Sequence, residues 1–205
     1  MRRLGLWWVP LLLVLAPLLG RMPAARDIAG YFVPMRVATA HRLGAGEAPW
    51  LNDRNGCGEA WFADPETGGL YPPHWIYLLL PASWGMSLEI GLHLALLALG
   101  VGMLARRLGA DGRGRLAAEV AAWSAGPVLT VAGMINNLDT LAWVPWMVLA
   151  AGRRDRLAVP LTALAGGMAW LAGEPVVFAF GAAVAWLAAP RRGRAAAGIG
   201  LALAI

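Results

Sequence analysis

The chain alternates long apolar runs with short polar breaks, and one break is far longer than the rest. Residues 4–20 are apolar, residues 21–75 are polar and irregular, and apolar runs dominate from there to the end. The runs at residues 85–105, 116–135, 139–151, 157–172, 175–189 and 195–205 are predicted to be helices. At about 1.5 Å per residue the longer ones reach the ~30 Å hydrocarbon core of a bilayer. The run at 139–151 is short, so its helix is expected to take in Asp139 or to tilt little. Gly, Pro, Asn and Asp, or clusters of arginine, separate the runs. This pattern predicts an all-α polytopic transmembrane protein, a helical bundle with a large first external loop, residues 21–84, that carries short interfacial helices.

Within that loop, Asp27 to His41 predicts an amphipathic turn or two on the membrane surface, interrupted by Pro34. The stretch GAGEAPWLNDRNGCGEAW is too rich in Gly, Asn and Asp for a long element. Pro72 and Pro73 suit a helix start. HWIYLLLPAS is too short to span and reads as an interfacial or re-entrant segment, held at the headgroups by Trp75 and Tyr77 and stopped by Pro81.

Composition strengthens this picture. The chain is 59% hydrophobic and 14% charged, where a soluble domain is about half apolar and about a quarter charged. Arginine then sets the orientation. The N-terminus and the turns at 106–115, 152–156 and 190–194 are arginine-rich, whereas the turns at Asn136–Thr140 and Gly173–Pro175 have none. By the positive-inside rule the N-terminus is cytoplasmic and loop 21–84 is external. In a bacterium this is the plasma (inner) membrane. The net charge of +5 is no nucleic-acid signal, because the arginines flank apolar runs and no aromatic–basic platform accompanies them. Residues 4–20, after Arg2 and Arg3, fit a signal peptide or a retained first helix, and the retained helix is the reading adopted. The last apolar run begins near Ala195 and is cut short, so these residues are expected to be the amino-terminal part of a longer membrane domain. Small residues within the runs let helices pack closely, which accounts for most of the glycines.

The predicted topology gathers ionisable groups on the external side. Asp27 opens the loop, His74 precedes the interfacial segment, and Asp139 and Glu174 lie in the two external turns. Glu89 and His93 share a helix face inside a span. Ionisable groups at that depth face a bundle interior or a wet cavity. A carboxylate beside a lipid phosphate could serve as general base, and an arginine or histidine could hold the phosphate. Each residue also has a structural role open to it. Asp27 and Asp139 are good helix caps, Glu174 before Pro175 suits a helix start, Glu89 and His93 suit a buried pair, and Asn136 and Asn137 suit a turn. Glu119 is placed to neutralise neighbouring arginines. No zinc signature is present, since Cys57 has no cysteine partner and His41 and His74 lack ligand spacing. A divalent metal among the external acids remains open, as does their mutual repulsion and partial protonation.

Several segments together resemble the amino-terminal part of the YfhO-like family of bacterial membrane proteins, within the GT-C-fold glycosyltransferases. They are DIAGYFVPMR from Asp27, RLGAGEAPWLN from Arg42, NGCGEAWFAD from Asn55 and GLYPPHWIYLLLP from Gly69, then GLHLALLALG from Gly91, NLDTLAWVPW from Asn137 and LAGEPVVF from Leu171. Their order and spacing carry the resemblance. It implies a GT-C-like bundle and an inverting transfer of a sugar from a polyprenyl-phosphate donor to an acceptor hydroxyl on a glycolipid, cell-wall polymer or protein. Asp27 matches the catalytic aspartate that opens the first external loop of such enzymes. His74, Asp139 and Glu174 are further catalytic candidates. Arg26, Arg36 and Arg42 are candidates for the donor phosphate, and Glu89 and His93 are grouped with them. The family's GHPQ-like turn reads Gly173-Glu174-Pro175-Val176 here, so Glu174 replaces its histidine. The alternatives are a transporter or flippase of a lipid-linked substrate, and a non-catalytic membrane subunit.

Overall fold

The computed structural model describes residues 15–19, 21–48, 50–52 and 58–204. Most of the first apolar run and Cys57 lie outside the described residues. The architecture is helical. A π-helical turn, Ile28–Phe32, runs directly into α1, Val33–Gly44. Pro34 does not interrupt this segment as the sequence predicts. It occupies the first turn of α1, where the π-turn passes into the α-helix. A minimal ribbon follows, with β1 (Leu51–Asn52) antiparallel to β2 (Glu59–Ala60) and Leu51 opposite Ala60. Two 3₁₀ segments, Pro65–Thr67 and Pro72–Leu78, complete the loop region.

The bundle comprises α2 (Ala82–Arg107), α3 (Gly112–Ser124), α4 (Gly126–Val131), α5 (Ile135–Ala151), α6 (Ala158–Leu171), α7 (Pro175–Ala188) and α8 (Arg192–Ala202). Three of the sequence-read runs, 85–105, 157–172 and 175–189, match α2, α6 and α7 closely. Two readings need correction. The run at 116–135 is not one helix. It breaks at Ala125, whose ψ of 132° is extended, because Pro127 cannot continue the ladder of α3. The expected turn Asn136–Thr140 is the first part of α5. Its polar side chains do not mark an exit to solvent; Asn136, Asp139 and Thr140 are buried.

Helix α5 is central and packs against α2, α6 and α7. One apolar core joins Ile28 and Phe32 to Met86, Ile90 and Leu94 of α2 and to Ile135 and Leu138 of α5. A second, built largely of alanines with Met147 and Phe178, joins α5 to α6, α7 and α8. Small residues allow that closeness. A Cβ on Gly198 would lie 2.7 Å from Thr162 Cβ. At the far end of α2, Arg107 Nη1 donates to the Leu149 carbonyl at 2.8 Å and Nη2 donates to that of Gly152. The guanidinium thereby serves the last turn of α5, whose carbonyls have no partner within the helix. Arg115 Nε lies 2.7 Å from Glu119 Oε1, the neutralisation the sequence predicts.

Among the described residues α2 is the one helix long and apolar enough to cross a membrane. Helices α6 and α7 are apolar but have 14 residues each, a length of about 21 Å. Helix α7 buries Phe178, Gly181 and Ala185 and exposes Val176, Phe180, Val184 and Leu187. The exposed side chains form a continuous aliphatic and aromatic stripe at helical spacing.

Candidate functional site

Six ionisable or amide side chains meet beneath the loop region. Arg36 comes from α1, His74 from the 3₁₀ segment, Glu89 and His93 from α2, and Asn136 and Asp139 from α5. All are buried, with Glu89 and Asp139 at 0% exposure. Arg36 Nη2 stands 3.5 Å from Glu89 Oε1 and donates to Asn136 Oδ1 at 2.5 Å. Its Nη1 donates to the carbonyls of Thr67 at 2.8 Å and Glu66 at 3.1 Å. Asn136 Nδ2 donates to the same Glu66 carbonyl at 2.8 Å. Arg36 and Asn136 therefore pin the loop's 3₁₀ turn onto α5. Such a cation is tolerable away from water because carboxylate and carbonyl oxygens replace its hydration.

The hydrogen-bond network assigns the tautomer of His93. Trp143 has only a donor, and its Nε1 donates to Tyr71 Oη at 2.7 Å. Tyr71 is then left to donate its own proton to His93 Nε2, at 2.7 Å. The ring proton of His93 must sit on Nδ1, which donates to the Glu89 carbonyl at 2.7 Å and faces Asp139 Oδ1 at 3.1 Å. His74 is oriented similarly. Its Nδ1 donates to the Gly68 carbonyl at 2.9 Å. Gly68 has φ +53°, and a Cβ there would come within 2.5 Å of the His74 ring, so glycine is required by both backbone and space. The other nitrogen, Nε2, points between two carboxylates, 3.0 Å from Asp139 Oδ2 and 3.1 Å from Glu89 Oε1.

Two phenols close the site. Tyr77 donates to Glu89 Oε2 at 2.6 Å. Burial, and then the charge of Glu89, push the Tyr77 phenol far up, and burial and Asp139 do the same to Tyr71. Both stay neutral donors across the working pH range. Even so, Glu89 Oε1 and Asp139 Oδ1 accept no well-aligned hydrogen bond among the described residues.

No family model, curated protein or solved structure matches the chain.

The structure brings together His74, Asp139, Glu89, His93 and Arg36 of the sequence-predicted residues. Glu89 and His93 share a face of α2 as expected, yet their side chains serve different partners. Asp139 is no N-cap; Met134 precedes α5 and Asp139 lies inside the helix. Glu174 lies away from this cluster in the contacts described. It caps α7, accepting from the Val176 N–H at 3.2 Å. Asp27 is exposed at the start of the π-turn and makes no side-chain capping bond. Beside it, Arg26 takes a left-handed φ of +52°, with its side chain against Gly133. Arg42 is half-buried at the opposite end of α1 and donates to the Leu51 carbonyl at 2.6 Å.

Tyr71, Tyr77, Trp143 and Asn136 were not singled out from sequence as members of a polar centre. The available signal was weak. Tyr71 and Tyr77 flank His74 with spacing that puts them near one side of a short helix. Nothing local links them to α5.

Proposed function

We propose that this protein is an integral membrane glycosyltransferase. It moves a sugar from a polyprenyl-phosphate donor to an acceptor hydroxyl at the external membrane face, with the helices from α2 onward forming a polytopic bundle. The observation that carries the reading is Asp27: an exposed carboxylate that heads the π-turn and α1 without capping them. The element it heads is anchored at Arg36 to buried partners, so the carboxylate stands on a fixed base. The exposed apolar stripe of α7 and the arginine-free turn at Gly173–Pro175 support the membrane setting.

In this reading Asp27 takes the proton of the acceptor hydroxyl. The freed oxygen attacks the anomeric carbon from the face opposite the phosphate. The carbon–oxygen bond to the phosphate breaks, the phosphate leaves with the electron pair, and configuration inverts through an oxocarbenium-like transition state. Distance selects the cation that meets the growing phosphate charge. Arg26 adjoins Asp27. Arg42 lies roughly 22 Å along the helical segment at about 1.5 Å per residue, and Arg36 is buried with both terminal nitrogens engaged. Arg26 is the surface guanidinium in reach.

Asp27→Asn tests this. Transfer of labelled sugar from a polyprenyl-phosphate pool is expected to fall by about 100-fold or more with unchanged unfolding behaviour; undiminished transfer by the variant rejects the base. One observation favours a second reading, a carrier of lipid-linked substrate. The break at Ala125 splits an apolar run, and broken helices line transport sites. Movement of the lipid-linked sugar between leaflets without transfer would support that reading.

A further inference from the structure

The interior polar centre has more converging donor atoms than its own protons satisfy. His74 Nδ1 is committed to the Gly68 carbonyl, which leaves Nε2 as the nitrogen aimed into the centre. It meets Asp139 Oδ2 at 3.0 Å and Glu89 Oε1 at 3.1 Å, and one ligand atom from each of the three residues lies within 4.8 Å of the other two. The hydrogen bond at Nε2 is made with Asp139 Oδ2, and Glu89 Oε1, fully buried, is left without one. A buried carboxylate oxygen in that condition requires an explanation, and a bound ion supplies one.

The geometry points to a binding site for one divalent transition-metal ion, held by His74 Nε2, Glu89 Oε1 and Asp139 Oδ2. Adjacent ligands of a six-coordinate ion with bonds of ~2.1 Å are separated by about 3.0 Å, which the two short edges match. One imidazole and two carboxylates suit Mn²⁺ or Zn²⁺ better than Mg²⁺ or Ca²⁺. The Gly68 carbonyl fixes the His74 tautomer from behind, as partners of metal-bound histidines do. Tyr77 holds the other oxygen of Glu89 at 2.6 Å. Arg36, 3.5 Å from Oε1, opposes a second positive charge. Its terminal nitrogens are drawn off by Asn136 and two carbonyls. A cavity of about 10 Å³ beside His74 and Arg36 brings open space to the edge of the centre. Glycosyl transfer is not needed for this inference.

The test uses the full chain in detergent micelles, stripped with chelator and dialysed against Mn²⁺ or Zn²⁺. Elemental mass spectrometry is expected to find one ion per chain. Mn²⁺ is expected to raise the thermal midpoint and to show coupling to a single imidazole ¹⁴N in pulsed electron paramagnetic resonance. Glu89→Gln and Asp139→Asn should each lower affinity at least about tenfold, and Asp27→Asn should leave it unchanged. Absence of stoichiometric metal in the wild type, or binding by both variants equal to the wild type, overturns the site. If the variants fail to fold, the wild-type nitrogen coupling decides: its absence from bound Mn²⁺ also overturns the assignment.

Discussion

Arg36 shows how much one buried charge depends on its surroundings. Its guanidinium meets a carboxylate, an amide and two carbonyls from three other elements, and it is 2% exposed. Removing one member of such a set leaves the rest desolvated and unserved. Arg36→Met is expected to cost about 3–5 kcal/mol, measured by tryptophan fluorescence during denaturant unfolding in micelles. Pairing it with Glu89→Gln should recover part of the loss, because the orphaned negative charge disappears with its partner. A loss that simply adds would mean that Glu89 and Arg36 do not interact. The sequence offers Arg36 as a candidate cation for a lipid phosphate and gives no sign of its burial. That property depends on Asn136, 100 positions later, and no local pattern carries such a pairing.

Elements bounded by their own chemistry were legible, and elements bounded by distant partners were not. Helix α2 begins after Pro81 and ends in Arg106 and Arg107, and α7 begins at Pro175 with arginines soon after its end, so an uninterrupted apolar run and its flanks suffice. The start of α5 was misread because Asn136, Asn137 and Asp139 resemble turn residues. They are helical because the polar centre offers Asn136 and Asp139 partners that solvent would otherwise supply. The split at Ala125 did have a signal in Gly126-Pro127, outweighed by the apolar run around it. At this scale the turn between α6 and α7 is the sensitive joint. Gly173 has φ +95°, and a Cβ there would collide with the Pro65 carbonyl and crowd Asn136. Gly173→Ala is expected to cost roughly 1–3 kcal/mol and to loosen the 65–67 turn. Hydrogen exchange should show faster exchange at Thr67 and Gly68; unchanged protection there would mean that the turn is not held from α7.

Taken whole, the molecule buries a small cluster of charges and exposes an apolar stripe on one helix. Val176, Phe180, Val184 and Leu187 face outward along α7, while Arg36, Glu89 and Asp139 face inward. If that outer stripe meets lipid, Phe180→Glu places a carboxylate in hydrocarbon at about 2.5–3.5 kcal/mol. A topology reporter in the 190–194 turn should then appear partly on the opposite side of the membrane. Unaltered reporter placement would argue that α7 lies against protein or water. The overall all-α class was legible because composition and run length report it directly. The site was half legible: its acids and histidines stood out in an apolar sequence, but their convergence is a property of packing.

The Arg36–Asn136 bond also has a consequence in time. The two residues are 100 positions apart, and a ribosome adds about 5–20 residues each second. For some 5–20 seconds of synthesis, the first helix exists with its charged side chain made and its acceptor not yet made. During that interval the loop cannot be fastened to the bundle, and whatever shelters Arg36 then belongs to the cell rather than to the chain.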